Sequence, residues 1–263
     1  MASELLIEDR RAKEAELLSI KGFMSMAELA EELGVSESTV RRDLEVLEDQ
    51  KVIRRTHGGA VYVRDPLPHR LAYDEREATA VAEKEAIARA VADLIPPGQT
   101  VFLDGGTTCT HVARGLQGRR LNVVTNSVPI AMLLSADAGT EVTLIGGFVY
   151  PRTGVALGSM AEQMIETLQA TQLVLSCAGV CPEGAFNTNQ MMVAVERKMM
   201  AAAEETILAV DHTKLGRRSV AALCELSEID AIVTDAGAGE ADRRWLSERA
   251  ARVIYADVEQ VTR

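Results

Sequence analysis

A chain of 263 residues, 47% of them apolar, is long enough for one large domain or for a small one joined to a medium one, and too apolar for wholesale disorder. No run of about 18 apolar residues occurs, which excludes an ordinary transmembrane helix. The opening Met-Ala-Ser-Glu-Leu-Leu-Ile-Glu-Asp-Arg lacks a basic start followed by an apolar stretch, so no signal peptide and a cytoplasmic location are expected, while the net charge of −11 would discourage unspecific binding to nucleic acid.

The first segment runs from about Ile7 to Tyr62. Leu17, Leu18 and Ile20 mark one face of a first helix, which Gly22 ends. Ser25 predicts an N-cap, with Glu28 completing a capping box, for a second helix over Met26–Leu33 that Gly34 stops. Ser36 caps a third helix reaching about Asp49. A small Ala30, a turning Gly34 and an apolar Val40 have the spacing of a helix-turn-helix. On the third helix Val40, Leu44 and Leu47 share one face, and Ser38, Arg42, Glu45 and Asp49 point the other way, with Arg41 on the flank. That outward face would enter a major groove.

A short β-ribbon follows. From Gln50 to Arg64 the chain has no acidic residue, whereas Lys51, Arg54, Arg55 and Arg64 are basic. Phosphate contacts respond to such local charge within about 10 Å at ordinary salt. The candidate DNA-contacting set is therefore Ser36, Ser38, Thr39, Arg41, Arg42, Arg54, Arg55 and His57, with double-stranded DNA as partner. Gly58-Gly59 beside His57 suggests backbone close to phosphate.

Arg64 to Tyr73 carries Pro66 and Pro68 and reads as part of a linker over residues 64–78, so that residues 1–63 form a winged helix-turn-helix and 79–263 a second domain. A charged helical stretch over roughly Glu75–Leu94 closes at Pro96-Pro97-Gly98. Apolar runs then predict strands at Thr100–Leu103, Leu121–Thr125, Glu141–Ile145, Gln172–Cys177, Thr206–Val210, Ala231–Thr234 and Arg252–Tyr255. Helical patterns lie between most of them, so the fold class is α/β with a mostly parallel sheet covered on both sides.

Four polar turns follow predicted strands: Asp104-Gly105-Gly106-Thr107-Thr108, Thr125-Asn126-Ser127, Gly146-Gly147 and Asp211-His212-Thr213-Lys214-Leu215-Gly216. Each alone is an ordinary cap or turn. Together, at strand ends where ligands of such sheets sit, they predict one crevice for a small polar ligand. The cysteines, Cys109, Cys177, Cys181 and Cys224, lack Cys-x-x-Cys spacing, so neither a zinc site nor any other metal or cofactor is expected.

At this point the residues resemble the DeoR family of bacterial transcriptional regulators over nearly the whole chain. Ser38-Thr-Val-Arg-Arg-Asp-Leu-Glu-Val-Leu-Glu48 and Arg54-Arg-Thr-His-Gly-Gly-Ala60 are similar to that family's helix-turn-helix and wing. Leu103-Asp-Gly-Gly-Thr-Thr108, Val124-Thr-Asn-Ser127, Gly146-Gly147 and Asp211-x-x-Lys214-x-Gly216 are similar to motifs of its effector domain. The resemblance implies a sensor similar in fold to ribose-phosphate isomerases. It also implies a homodimer or homotetramer, and repression of carbohydrate or polyol catabolism genes under a phosphorylated sugar-type effector. It assigns the effector to Asp104, Gly106, Thr107, Thr108, Thr125, Asn126, Gly147 and Lys214.

The chain departs from the family in two places. Where an acidic residue is usual, Ser176-Cys177-Ala178-Gly179 has Ala178; where a glutamate is usual three residues after Asn189, it has Met192, with Glu196 one helical turn beyond. A pocket poorer in carboxylates would favour a different or more anionic ligand. An aldose–ketose phosphate isomerase with a DNA-binding appendage is the alternative; it would need a carboxylate base, for which Asp104, Asp211 and Glu196 remain. An architectural DNA protein without effector is a third reading.

Overall fold

The computed structural model describes residues 10–11, 13–15, 17–18, 23–49, 53–56, 58–62 and 76–258. The chain divides into two compact units, Met1–Leu71 and Ala72–Arg263.

In the first unit the described residues from 10 to 18 are helical. They are followed by β1 (Phe23–Ser25), α1 (Met26–Leu33), α2 (Glu37–Asp49), β2 (Ile53–Thr56) and β3 (Gly59–Tyr62). The capping box forms as the sequence predicts: the Glu28 amide donates to Ser25 Oγ at 3.2 Å and the Ser25 amide donates to the Glu28 carboxylate at 2.7 Å. Gly34 closes α1 in the left-handed region, at φ 65°, with its amide turned back to the Ala30 and Glu31 carbonyls. Leu18, Met24, Leu29, Val40, Leu44, Leu47 and Ile53 fill the core beneath. Ile20, Gly22, His57 and residues 64–75, all part of the sequence reading, lie outside the described residues.

The expected short β-ribbon is present as β2 and β3, with β1 added as a third strand in an antiparallel sheet ordered β1-β3-β2. β1 is three residues long, too short to show a period of two in sequence. It also explains the glycine pair. A Cβ on Gly59 would stand 2.1 Å from the Met24 carbonyl oxygen, whereas Gly58 has nothing within 4 Å. The approach of β1 thus requires a glycine at position 59.

The second unit is built on seven parallel strands. In chain order it contains α3 (Val81–Leu94), β4 (Thr100–Leu103), α4 (Thr107–Leu116), β5 (Leu121–Thr125), α5 (Val128–Ser135) and β6 (Thr140–Leu144). Next come β7 (Phe148–Tyr150), β8 (Val155–Leu157), α6 (Ser159–Ile165), β9 (Ala170–Leu175), β10 (Gly179–Cys181) and β11 (Gly184–Asn187). It ends with α7 (Gln190–Ala201), β12 (Ala203–Ala209), β13 (Ala221–Cys224), β14 (Ala231–Asp235), α8 (Glu240–Arg249) and β15 (Val253–Ala256). The large sheet has the order β15-β14-β12-β9-β4-β5-β6, and its pairs are parallel throughout.

Alternate residues of its strands feed two cores. Phe102, Leu173, Leu175, Leu208 and Ile232 pack with Ile165, Val195, Met199 and Leu246 on one face. Val101, Leu103, Val174, Ile207 and Val233 pack with Ile87, Val91, Val112, Leu116 and Ile130 on the other. The central strands are therefore apolar on both sides, the pattern of a sheet sandwiched between helices.

All seven strands read from the sequence are present, within a few residues at their ends. Two small sheets, β7-β8 and β10-β11-β13, are additions. The long helix over Glu75–Leu94 is a correction. Helix α3 starts at Val81, because Ala80 adopts a left-handed conformation at φ 52° and ψ 46°. The carbonyls freed by that break are taken by Lys84, whose buried Nζ donates to Arg76 O and to Thr79 O, the latter at 2.6 Å.

Candidate nucleic-acid interface and ligand crevice

The outward face of α2 is as the periodicity predicts. Ser38, Arg41, Arg42, Glu45 and Asp49 are exposed, and neither Arg41 nor Arg42 forms an ion pair with another described residue. At the start of the helix the Ser36 hydroxyl accepts from the Thr39 amide at 3.3 Å and stands 2.8 Å from Ser38 Oγ and 2.9 Å from Thr39 Oγ1. Three hydroxyls thus crowd the positive end of the α2 dipole. Arg54 is exposed on β2.

Arg55 is placed differently. Its backbone amide donates to Glu48 Oε1 at 2.8 Å, its Nε to Glu48 Oε2 at 2.6 Å and its Nη1 to Glu45 Oε1 at 2.9 Å. The Arg55 amide, followed by its guanidinium, holds the Glu48 carboxyl below its ordinary range. Arg55 therefore braces the wing strand against α2 and engages Glu45, which lies one turn from Arg41 and Arg42, together with Glu48.

Sequence reasoning missed what lies behind this helix. Asp43 is buried and accepts from Arg10 at 2.7 Å and from Arg11 at 2.9 Å. Glu14, on the same helical segment as the two arginines, is also buried, with no partner for either carboxyl oxygen among the described residues. Burial first, and the Asp43 charge second, push its pKa up to about 8, against the lowering effect of Arg10 and Arg11. Only the acidic residue's place on the inner arc of α2, next to Leu44, could have signalled Asp43.

In the second unit the turns expected to line the crevice converge on Asp104, at the end of β4. Its buried carboxyl meets the backbone amides of Gly105 and Ser176 and the side-chain amide of Asn126, which offset part of the burial that pushes its pKa up to about 7. The turns after β4, β5 and β9 are thereby joined. Gly106 is at φ 107°, and a Cβ there would lie 2.9 Å from Ser176 Oγ. Thr107 and Thr108 are buried in the first turn of α4, where unpaired amides collect. Thr125 Oγ1 accepts from the Ser127 amide at 3.0 Å. Asn126 donates to Ala156 O at 3.4 Å, while its Oδ1 is buried without a partner among the described residues.

The other two residues assigned to this crevice, Gly147 and Lys214, have neighbours of their own. Gly147, at φ 148°, approaches the end of β8, where a Cβ would fall 2.8 Å from Leu157 O. Lys214 is half-buried near Asp211 and Lys84, whose Nζ feels both charges; no hydrogen bond joins it to the Asp104 cluster among the described residues. Ala178 bonds through its amide to Phe186 O at 2.9 Å, and Met192 packs on the apolar core. The expected shortage of carboxylates does not follow, because Glu196 on α7 is buried within reach of the Asp104 charge. Its Oε1 accepts from Asn187 Nδ2 at 2.6 Å and its Oε2 has no partner among the described residues. Ser176 could not have been found in the sequence, since its role depends on β9 lying beside β4; Asn187 reaches Glu196 only because β11 leads directly into α7. Cys177, in the same turn, is held protonated, its thiol pushed up to about 12 by burial.

Comparison with known proteins places both units. Residues 10–65 match a DeoR-like helix-turn-helix domain and residues 79–236 a DeoR C terminal sensor domain. The chain is 31% identical over 250 residues to the uncharacterized HTH-type transcriptional regulator YulB of Bacillus subtilis, covering 95% of this chain and 96% of that protein. It is 36% identical over 223 residues to the HTH-type transcriptional repressor CsqR of Escherichia coli, covering 83% and 84%. The glycerol-3-phosphate regulon repressor of Escherichia coli is 34% identical over 223 residues, covering 84% and 88%. Among solved structures, ribose 5 phosphate isomerase A from Neisseria gonorrhoeae matches at a TM-score of 0.39 and 14% identity, over 51% of this chain and 53% of that one. With both halves matched in order and relatives aligned over most of their length, the chain belongs to the DeoR family of helix-turn-helix transcriptional regulators.

Proposed function

We propose that the protein is a cytoplasmic, homo-oligomeric repressor of carbohydrate or polyol catabolism genes, released from its operator by a phosphorylated sugar-type effector. The observation that carries the DNA-binding half is the pair of exposed arginines, Arg41 and Arg42, on a capped helix whose Glu45 and Glu48 are engaged by Arg55. Ser36, Ser38, Thr39, Arg41 and Arg42 contact the major groove and its phosphates, Arg54 reaches the backbone from the wing, and Arg55 positions that wing. His57 completes the set on sequence grounds alone.

The sensing half is supported by the relatives. One is named as a glycerol-3-phosphate regulon repressor and another as the lactose phosphotransferase system repressor of Staphylococcus aureus. In this chain the amides and hydroxyls at Gly106, Thr107 and Thr108 suit a phosphate, and Asp104, Thr125 and Asn126 suit the polar remainder of the ligand. Residues 1–63 thus act as the DNA-binding domain and 79–263 as the sensor and oligomerisation domain, joined through residues 64–78. The matched family and these relatives are transcriptional regulators, not enzymes, and Ala178 lies where a base would be wanted for isomerisation.

A mobility-shift series with the DNA upstream of its own gene tests the proposal. A retarded complex that dissociates on addition of a sugar phosphate is expected, with a coupling of about 1–3 kcal/mol. Binding unaffected by every member of a broad sugar-phosphate panel would leave a DNA-binding protein without the proposed sensor.

A further inference from the structure

The crevice around Asp104 is rich in acceptors, and no cation stands among them in the described residues. Asp104, Asn126 and Glu196 are each at most 2% exposed. Asn187 is fixed by accepting the Thr188 amide at 2.9 Å, so its own amide group faces Glu196 Oε1 and leaves Oε2 unfilled. Asn126 spends its amide group on Ala156 and the Asp104 carboxyl, and its Oδ1 stays unfilled. Among the described residues no lysine, arginine or histidine charge reaches either carboxyl strongly enough to lower it. Burial raises both, and the Asp104 charge raises Glu196 further. A buried carboxylate without a counter-charge is costly, and the two unfilled acceptors, Glu196 Oε2 and Asn126 Oδ1, call for a donor that is brought to them.

We propose that the effector presents a primary ammonium group to Asp104, Glu196 Oε2 and Asn126 Oδ1, which makes it an amino-bearing sugar or polyol phosphate. The inference rests on the reading that the effector occupies this crevice. An ammonium offers three donors and one positive charge, one donor for each of three acceptors and a counter-charge for the carboxyl pair. A hydroxyl offers a single donor and no charge, and would leave one carboxyl to be neutralised by a proton. Ionised Asp104 and Glu196 are the binding forms, so protons held on them in the empty crevice leave as the ligand enters.

Isothermal titration of the full chain with matched probes tests this near neutral pH. Glucosamine 6-phosphate is compared with glucose 6-phosphate, and galactosamine 6-phosphate with galactose 6-phosphate. In at least one pair the amino member is expected to bind about tenfold or more tightly, and Glu196→Gln is expected to erase that preference. The wild-type comparison stands whether or not the variant folds. Hydroxyl members binding as tightly as their amino partners, or a preference that survives Glu196→Gln, would overturn the ammonium assignment alone. No binding by any of the four would overturn it together with the crevice reading on which it rests.

Discussion

Glu14 and Asp43 show how far a single charge depends on what lies opposite it. Both are buried in the DNA-binding unit, yet Asp43 has two arginines and Glu14 has no hydrogen-bond donor among the described residues. The fold therefore keeps Glu14 as the neutral acid. Its pKa is about 8 in the folded chain against an ordinary 4.5, so the native state binds the proton more tightly than the unfolded chain does. Stability from this group is complete below about pH 4.5 and is lost as pH rises through about 8. Glu14→Gln should keep the neutral shape, flatten the pH dependence of the unit's melting temperature over that range and raise the value at its alkaline end. A variant as pH-sensitive as the wild type would contradict the assignment.

Elements carry the parts of the fold that are legible in the sequence. Strands buried on both faces announce themselves as apolar runs, as β4, β9, β12 and β14 do, while the edge strands β6 and β15 are less buried and show through their alternating or short apolar segments. The capping box at Ser25 and Glu28 and the turn at Gly34 are equally plain, because local chemistry alone produces them. Strand order is not visible, and with it go Ser176 and the meeting of Asp104 with Glu196. The break before α3 is hidden for another reason: Ala80 is an ordinary helix former, forced into a left-handed conformation by a neighbouring lysine that rewards it. That conformation costs an alanine about 1–2 kcal/mol. Ala80→Gly should accordingly raise the unfolding free energy of the sensor unit by up to about 1 kcal/mol in a denaturant titration; a drop in stability would show that the helix, not the kink, is the preferred local state.

The crevice yields a second test at the same scale. A Cβ on Gly105 would stand 2.1 Å from Val155 Cγ1, so β8 closes directly over the turn that holds Asp104. Gly105→Ala should cost about 1–3 kcal/mol through overpacking. Adding Val155→Ala should return part of it, a coupling that a double-mutant cycle measures directly. Strictly additive effects would mean that the two residues do not meet in this way.

At the scale of the whole molecule, a chain of net charge −11 must bind a polyanion through a small basic surface. It does so by arranging acids where they serve the fold. Glu45 and Glu48 are engaged by Arg55, and Asp43 by Arg10 and Arg11. Arg41 and Arg42 are left to face outward. Their removal should weaken DNA affinity sharply without unfolding the unit, because both side chains are exposed and neither packs in its core. The most direct measurement is the salt dependence of binding to the upstream operator, by fluorescence anisotropy, for the wild type and for Arg41→Ala combined with Arg42→Ala. The wild type should bind tightly with a steep salt slope. The double variant should bind far more weakly, its slope reduced by about 0.9 for each phosphate that is no longer neutralised. Affinity and slope unchanged in a folded double variant would contradict the account at its centre.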